Sequence, residues 1–362
     1  MFMNLKFNIF EVLSAGDKEL VHSSMIKLLL DSEITRNYMR QLFGLEDTPI
    51  GEVYTEFILE NRKNRFDLYF SLGENRDCVI ENKFKAIPSA SQITRYICNN
   101  RKVILLVLSE DFLCGYEDEV LKRLGYNENS FFSVSSYFTF SDNSKKSVLE
   151  VLKQIVDVEI TSNGKLEDAA FSFLVQQYYD YLNGIYLKLE PYVKNDSLNF
   201  RLLSSKSEVY ILRCILLHLQ VQIFNEYVLQ TNDDILEWEP RNDGGSNTIP
   251  CVSFFNTKQS SPGLFIEFQG LTLKSGFVFD TKDIEEVKQL KRGLIEKLSS
   301  QKSRFKILFS DNYPVVEYLS IRKIKPGKTT SSTMAFKFDL KFEDLSKQLL
   351  IHDVVTLLEV LR

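Results

Sequence analysis

Three strand-like runs follow one another with barely a turn between them: EVYTEFILE at 52–60, RFDLYFSL at 65–72 and DCVIENKF at 77–84. The links carry Asn, Arg, Gly and Glu, as tight hairpin turns do, so the spacing predicts a three-stranded antiparallel meander. A helix is expected upstream, over about 16–40. Downstream come a polar helix at 89–100 (SASQITRYICNN, with Pro88 ahead of it and Ser89 as N-cap), and a strand at 103–109 (VILLVLS). A short helix near 116–125 and a strand at 131–140 follow. The near-continuous apolar run VILLVLS fits a strand covered on both faces. The order α-β-β-β-α-β-α-β implies an α/β domain, a mixed sheet flanked by helices.

Helices are expected over 143–157, 164–190 and 205–230. The pattern then changes to strands, at IPCVSFF, GLFIEFQ, LTLKSGFVFD, FKILFS and TMAFKFDLKF, with helices near 282–299 and 343–361. The turn-rich TNDD at 231–234 suits a boundary before a second, α+β domain. A division follows: a core over 1–160, a helical extension packing on it over 161–230, and a C-terminal α+β domain over 231–362.

The residues that carry chemistry lie on the second and third runs. Asp67 is a carboxylate inside an apolar strand, and Glu81 is followed by Asn82 and Lys83. Side chains alternate along a strand, so Glu81 and Lys83 share a face and Asn82 points away. Pairing the runs through a short hairpin brings Asp67 beside Glu81. Two carboxylates can hold Mg²⁺ or Mn²⁺, which keeps waters and binds phosphate oxygens. The backbone carbonyl of Asn82 can add a ligand, and Lys83 can orient or deprotonate an attacking water. The alternative for a bare Asp…Glu-x-Lys is a solvated ion pair on a half-exposed sheet. Residues 82–109 hold no acid but five basic residues, Lys83, Lys85, Arg95, Arg101 and Lys102, a strip suited to a phosphate backbone. Glu19, His22, Ser23 and Ile26 share one helix face. His22 and Ser23 there are candidate supporting or substrate contacts, against the reading of a satisfied core histidine. Glu56 is an outer carboxylate or a surface residue.

This stretch resembles the PD-(D/E)XK nuclease superfamily, over about residues 8–185. The runs NIFEVL, ELVHSS, RFDLYF and VIENKF carry the likeness, with Asp67, Glu81 and Lys83 at the motif positions. Gln92 and Tyr96 match the Gln-x-x-x-Tyr of the exonuclease-like branch, and Glu19 matches the acid of an upstream helix. Phe66 stands where the superfamily's name has proline. The resemblance implies a restriction-endonuclease-like fold. It also implies a Mg²⁺- or Mn²⁺-dependent nuclease acting on DNA, in defence against foreign DNA or in repair. Asp67, Glu81, the Asn82 carbonyl and Glu19 would be the metal's ligands, and Gln92 and Tyr96 would support the site. An RNA-directed nuclease and a non-catalytic nucleic-acid-binding protein of the same fold are the rival readings.

Net charge is −5, from 44 Lys+Arg against 49 Asp+Glu, which excludes a globally basic nucleic-acid binder but not a local groove. No apolar run approaches the ~20 residues of a membrane span, and the N-terminus has no adequate signal-peptide core. A soluble, cytoplasmic protein is expected, with no membrane partner. The sequence leaves open a homo-oligomer, and the C-terminal domain reads as a substrate-, partner- or dimer-contacting module. The five cysteines are scattered with no CxxC, so zinc and iron–sulfur sites lack ligands. PGKTTSS at 326–332 is no P-loop, because Arg322 stands where the first glycine is needed and a strand follows.

Overall fold

Alternation along the first hairpin organises the N-terminal half. The computed structural model describes residues 8–12, 19–58, 65–73, 75–84, 95–97, 100–110, 132–141, 146–164, 166, 168–198, 209–231, 238–241, 251–256, 263–269, 272–279, 284–310, 316–322, 331–339 and 345–361. The chain divides into two units, Met1–Pro191 and Tyr192–Arg362.

In the first unit, β1 (Tyr54–Ile58), β2 (Arg65–Ser71), β3 (Asp77–Lys83), β4 (Arg101–Val107) and β5 (Phe132–Ser136) form one mixed sheet in the order β1-β2-β3-β4-β5. The first three strands are antiparallel, and β3–β4 and β4–β5 are parallel. The β2–β3 turn is tight because Gly73 (φ 94°) and Asn75 (φ 57°) take left-handed conformations, letting Leu72 N–H reach the Arg76 carbonyl at 2.9 Å. Strand β4 is buried along nearly its whole length, as its continuous apolar run required.

Helices α1 (Ile9–Val12), α2 (Glu19–Asp31), α3 (Glu33–Phe43) and α4 (Val148–Ile155) belong to this unit, as does α5 (Ala169–Lys194) as far as Pro191. The single helix expected over 16–40 is two. Ser32 leaves the helical conformation at ψ 132°, and its side chain accepts from the Thr35 N–H, starting α3 afresh. Gly44 closes α3 at φ 60°. The helix expected over 143–157 becomes π-helical at Val156–Ser162, and the strand expected over 131–140 ends at Ser136. The helix expected near 116–125 and most of that expected at 89–100 lie outside the described residues.

The second unit is a six-stranded antiparallel sheet, order β11-β12-β10-β9-β8-β7, with helices α6 (Val209–Thr231), α7 (Ile284–Ser300) and α8 (Lys347–Leu361). Its strands are β7 (Trp238–Arg241), β8 (Cys251–Asn256), β9 (Gly263–Gln269), β10 (Thr272–Phe279), β11 (Val316–Arg322) and β12 (Ser331–Asp339). A two-residue pair, β6 (Ser197–Leu198) with β13 (Leu345–Ser346), lies apart from them. Leu264, Ile266 and Phe268 of β9 share a buried face with Leu273 of β10 and Phe336 and Phe338 of β12, and Phe265 is buried on the other face.

Two expectations are corrected here. The 161–230 segment is not one extension on the first core, because α6 is apolar all round and packs against β8 and α8 of the second unit. FKILFS is not a strand: buried Asp353 of α8 accepts the backbone N–H groups of Lys306, Ile307 and Leu308, each at 2.7 Å, and so holds a turn. Strand β11, which that pattern missed, follows it.

Candidate active site

The β2–β3 register brings the candidate residues together. Leu68 pairs with Ile80, so the next position along sets Asp67 against Glu81. The Asn82 N–H donates to Asp67 Oδ2 at 2.8 Å. Lys83 Nζ donates to Glu81 Oε1 at 2.6 Å, with both side chains largely buried. Asn82 points to the opposite side and is fully buried. There its Nδ2 donates to Ser23 Oγ (3.1 Å) and to the Glu19 carbonyl (3.2 Å), both on α2.

The electrostatics follow from this crowding. Burial pushes the Glu81 carboxyl up to about 7, and the Asp67 charge adds to that while Lys83 opposes it. Burial also raises Asp67, against the lowering effects of the Asn82 N–H, Lys83 and Arg65. Lys83 is depressed by burial, but Glu81, Glu19 and Asp67 outweigh that and leave it above its ordinary value. It is therefore a cation at neutral pH.

The supporting residues divide. Tyr96 is buried beside the Glu81 carboxyl, and its hydroxyl donates to the Arg65 carbonyl at 3.1 Å. Gln92 lies outside the described residues. Glu19 lies near enough for its charge to act on Lys83. His22 and Ser23 are buried behind the sheet, so direct substrate contact gives way to support: His22 Nδ1 shares a 2.8 Å hydrogen bond with Tyr178 and stacks on Phe84 at 3.9 Å. Glu56 pairs with Arg65 and lies across from Asp67 at φ 55°, a left-handed conformation rare for a side-chain-bearing residue.

Three members of the basic strip are engaged within the fold, while Arg95 is exposed. Lys83 is held by Glu81. Arg101 donates twice to Asp77 (3.1 and 2.9 Å) and lies over the Phe66 ring at 4.9 Å. Lys102 caps the end of α3 through the Phe43 and Gly44 carbonyls at 3.0 and 2.9 Å. Lys85 lies outside the described residues. A cleft of about 420 Å³ opens at the other end of β2 and β3, lined by Arg76, Asp77, Asn100 and Arg101 among others.

Two oxygen-donor carboxylates on adjacent strands are the kind of ligand a hard divalent cation takes, and the Asn82 carbonyl is a further oxygen that could join them. Among the described residues, no three His, Cys, Asp or Glu side chains gather as a metal-holding group. Among them, too, no helix is long and apolar enough to cross a membrane. Tyr137 and Tyr178 escaped the sequence reading, since nothing in an aromatic-rich strand end or helix marks which hydroxyl will face Asn82. Comparison with protein families, curated proteins and solved structures finds no match for this chain.

Proposed function

We propose that the chain is a divalent-metal-dependent nuclease of restriction-endonuclease-like fold that hydrolyses phosphodiester bonds in DNA. The reading rests on one observation, the meeting of Asp67, Glu81 and Lys83 on β2 and β3. The mixed sheet, with three antiparallel strands leading into parallel ones, supports it. Asp67, Glu81 and the Asn82 carbonyl would hold Mg²⁺ or Mn²⁺, which when bound supplies Lewis acidity and an activated water. Lys83, cationic at neutral pH, donates to the attacking water and offsets charge gathering on the phosphate. Tyr96 lies beside the Glu81 carboxyl and is itself tied to the start of β2 through the Arg65 carbonyl.

The test incubates wild type and Lys83→Ala with plasmid, linear duplex, single-stranded DNA and RNA, each in Mg²⁺, Mn²⁺ and EDTA. Wild type should cut only with metal, and Lys83→Ala should fold but lose about 100-fold or more of the rate. Asp67→Ala should also lose Mn²⁺ binding by calorimetry. Undiminished cutting by Lys83→Ala would sink the mechanism, and cutting of RNA alone would move the substrate. A second reading, a non-catalytic nucleic-acid binder, draws on the closed Lys83–Glu81 pair. DNA binding in EDTA with no products in any metal would favour it.

A further inference from the structure

Asn82, flanked by Glu81 and Lys83, has a side chain tethered by three hydrogen bonds. Its Oδ1 accepts from the Tyr137 hydroxyl at 3.3 Å. Its amide nitrogen spends both hydrogens, on Ser23 Oγ and the Glu19 carbonyl. Tyr137 and Tyr178 are themselves hydrogen-bonded, and Tyr178 shares a bond with His22 Nδ1.

Proton counting orders this chain. A phenol has one hydrogen to give. Tyr137 gives its own to Asn82, so Tyr178 must donate to Tyr137, and His22 must then donate to Tyr178 from Nδ1. The donor sequence His22, Tyr178, Tyr137, Asn82 is thus single-valued. It runs from α2 through α5 and the segment after β5 to the strand bearing Glu81 and Lys83. Tyr137, Tyr178, His22 and Asn82 are each fully buried. The chain is packed in aromatic rings, with Phe84 stacked on His22 and meeting Tyr137 edge-on at 4.7 Å. In such surroundings an abandoned donor or acceptor is costly, so the arrangement resists rotation.

From this geometry we infer that Asn82 is the positioning residue of the site: the His22–Tyr178–Tyr137 chain fixes its amide and, through it, the peptide whose N–H clamps Asp67. The proposal rests on the nuclease reading for what is positioned, and on the hydrogen bonds alone for how. A side chain merely filling space behind the sheet would need none of these partners.

The test uses the full chain as wild type, Tyr137→Phe and Asn82→Ala. Tyr137→Phe keeps the ring and its packing, and Asn82→Ala keeps the backbone carbonyl and N–H. In metal-free protein, exchange of the residue 82 amide should speed up by about tenfold in Tyr137→Phe, while Val79 and Ile80 keep wild-type rates. With metal, the Mn²⁺ dissociation constant should rise about 10- to 100-fold, and kcat should fall with KM for DNA unchanged. If Asn82→Ala does not fold, Tyr137→Phe alone decides. Wild-type exchange at residue 82 together with wild-type Mn²⁺ affinity in a folded Tyr137→Phe would overturn the inference. A wild type that binds no Mn²⁺ would instead remove the nuclease reading, and the exchange result would still decide the positioning claim.

Discussion

Glu81 is a carboxylate held where water is scarce, and that makes it report on pH. Its folded value of about 7 lies above the 4.5 of an exposed glutamate. An acid that binds its proton more tightly in the folded state adds stability that is complete below about 4.5 and vanishes as pH rises through about 7. In EDTA, the unfolding free energy of wild type minus that of Glu81→Gln should therefore fall across this window. The slope approaches about 1.4 kcal/mol per pH unit at its steepest. Denaturant titrations at several pH values measure it, and a difference independent of pH would contradict the burial argument. Metal reverses the preference, since a ligating carboxylate must be ionised, so Mn²⁺ affinity should weaken as pH falls below about 7.

Elements here begin and end on identifiable chemistry. Ser147 caps α4 through a reciprocal pair: its side chain accepts from the Glu150 N–H, and the Glu150 carboxylate accepts from the Ser147 N–H at 2.7 Å. Ser147→Ala should cost about 1–2 kcal/mol in unfolding free energy, the upper part of the cap range because Ser147 is buried. A cost below ~0.3 kcal/mol, at the level of surface substitutions, would show the cap to be idle. Asp353 of α8 plays the comparable part for the 306–308 turn. Asp353→Asn should cost about 2–4 kcal/mol, because one of its three accepted hydrogen bonds meets an NH₂ instead of an oxygen. Faster amide exchange confined to Lys306, Ile307 and Leu308 is the signature to look for.

At the scale of the whole molecule, the candidate chemistry is confined to the unit Met1–Pro191, and the unit Tyr192–Arg362 is an antiparallel sheet with its own core. A ligand that binds only the folded first unit stabilises it by mass action, about 2.7 kcal/mol at a hundredfold excess over Kd. Hydrogen exchange in Mn²⁺ against EDTA should accordingly show protection gained around β2 and β3. No gain there at saturating Mn²⁺ would count directly against a metal between Asp67 and Glu81.

The sequence alone determined whatever short-range periodicity controls. The 2-residue alternation of RFDLYFS and the short links between the runs set the meander, and the pleat of an extended strand put Glu81 with Lys83 and turned Asn82 away. Burial on both faces wrote itself into VILLVL. Where competing local signals met, it misread: Ser32 interrupts an unbroken apolar period, and FKILFS has the composition of a strand but yields its N–H groups to Asp353. Only the tertiary structure decided which charges remain available. Arg101 and Lys102 read as a phosphate-binding strip until Asp77 and the end of α3 are brought against them. It alone, too, placed Tyr137 and Tyr178 behind Asn82. Those contacts join residues 55 and 41 positions apart along the chain. No local pattern encodes them, because hydrogen bonding over such separations depends on how the helices pack against the sheet.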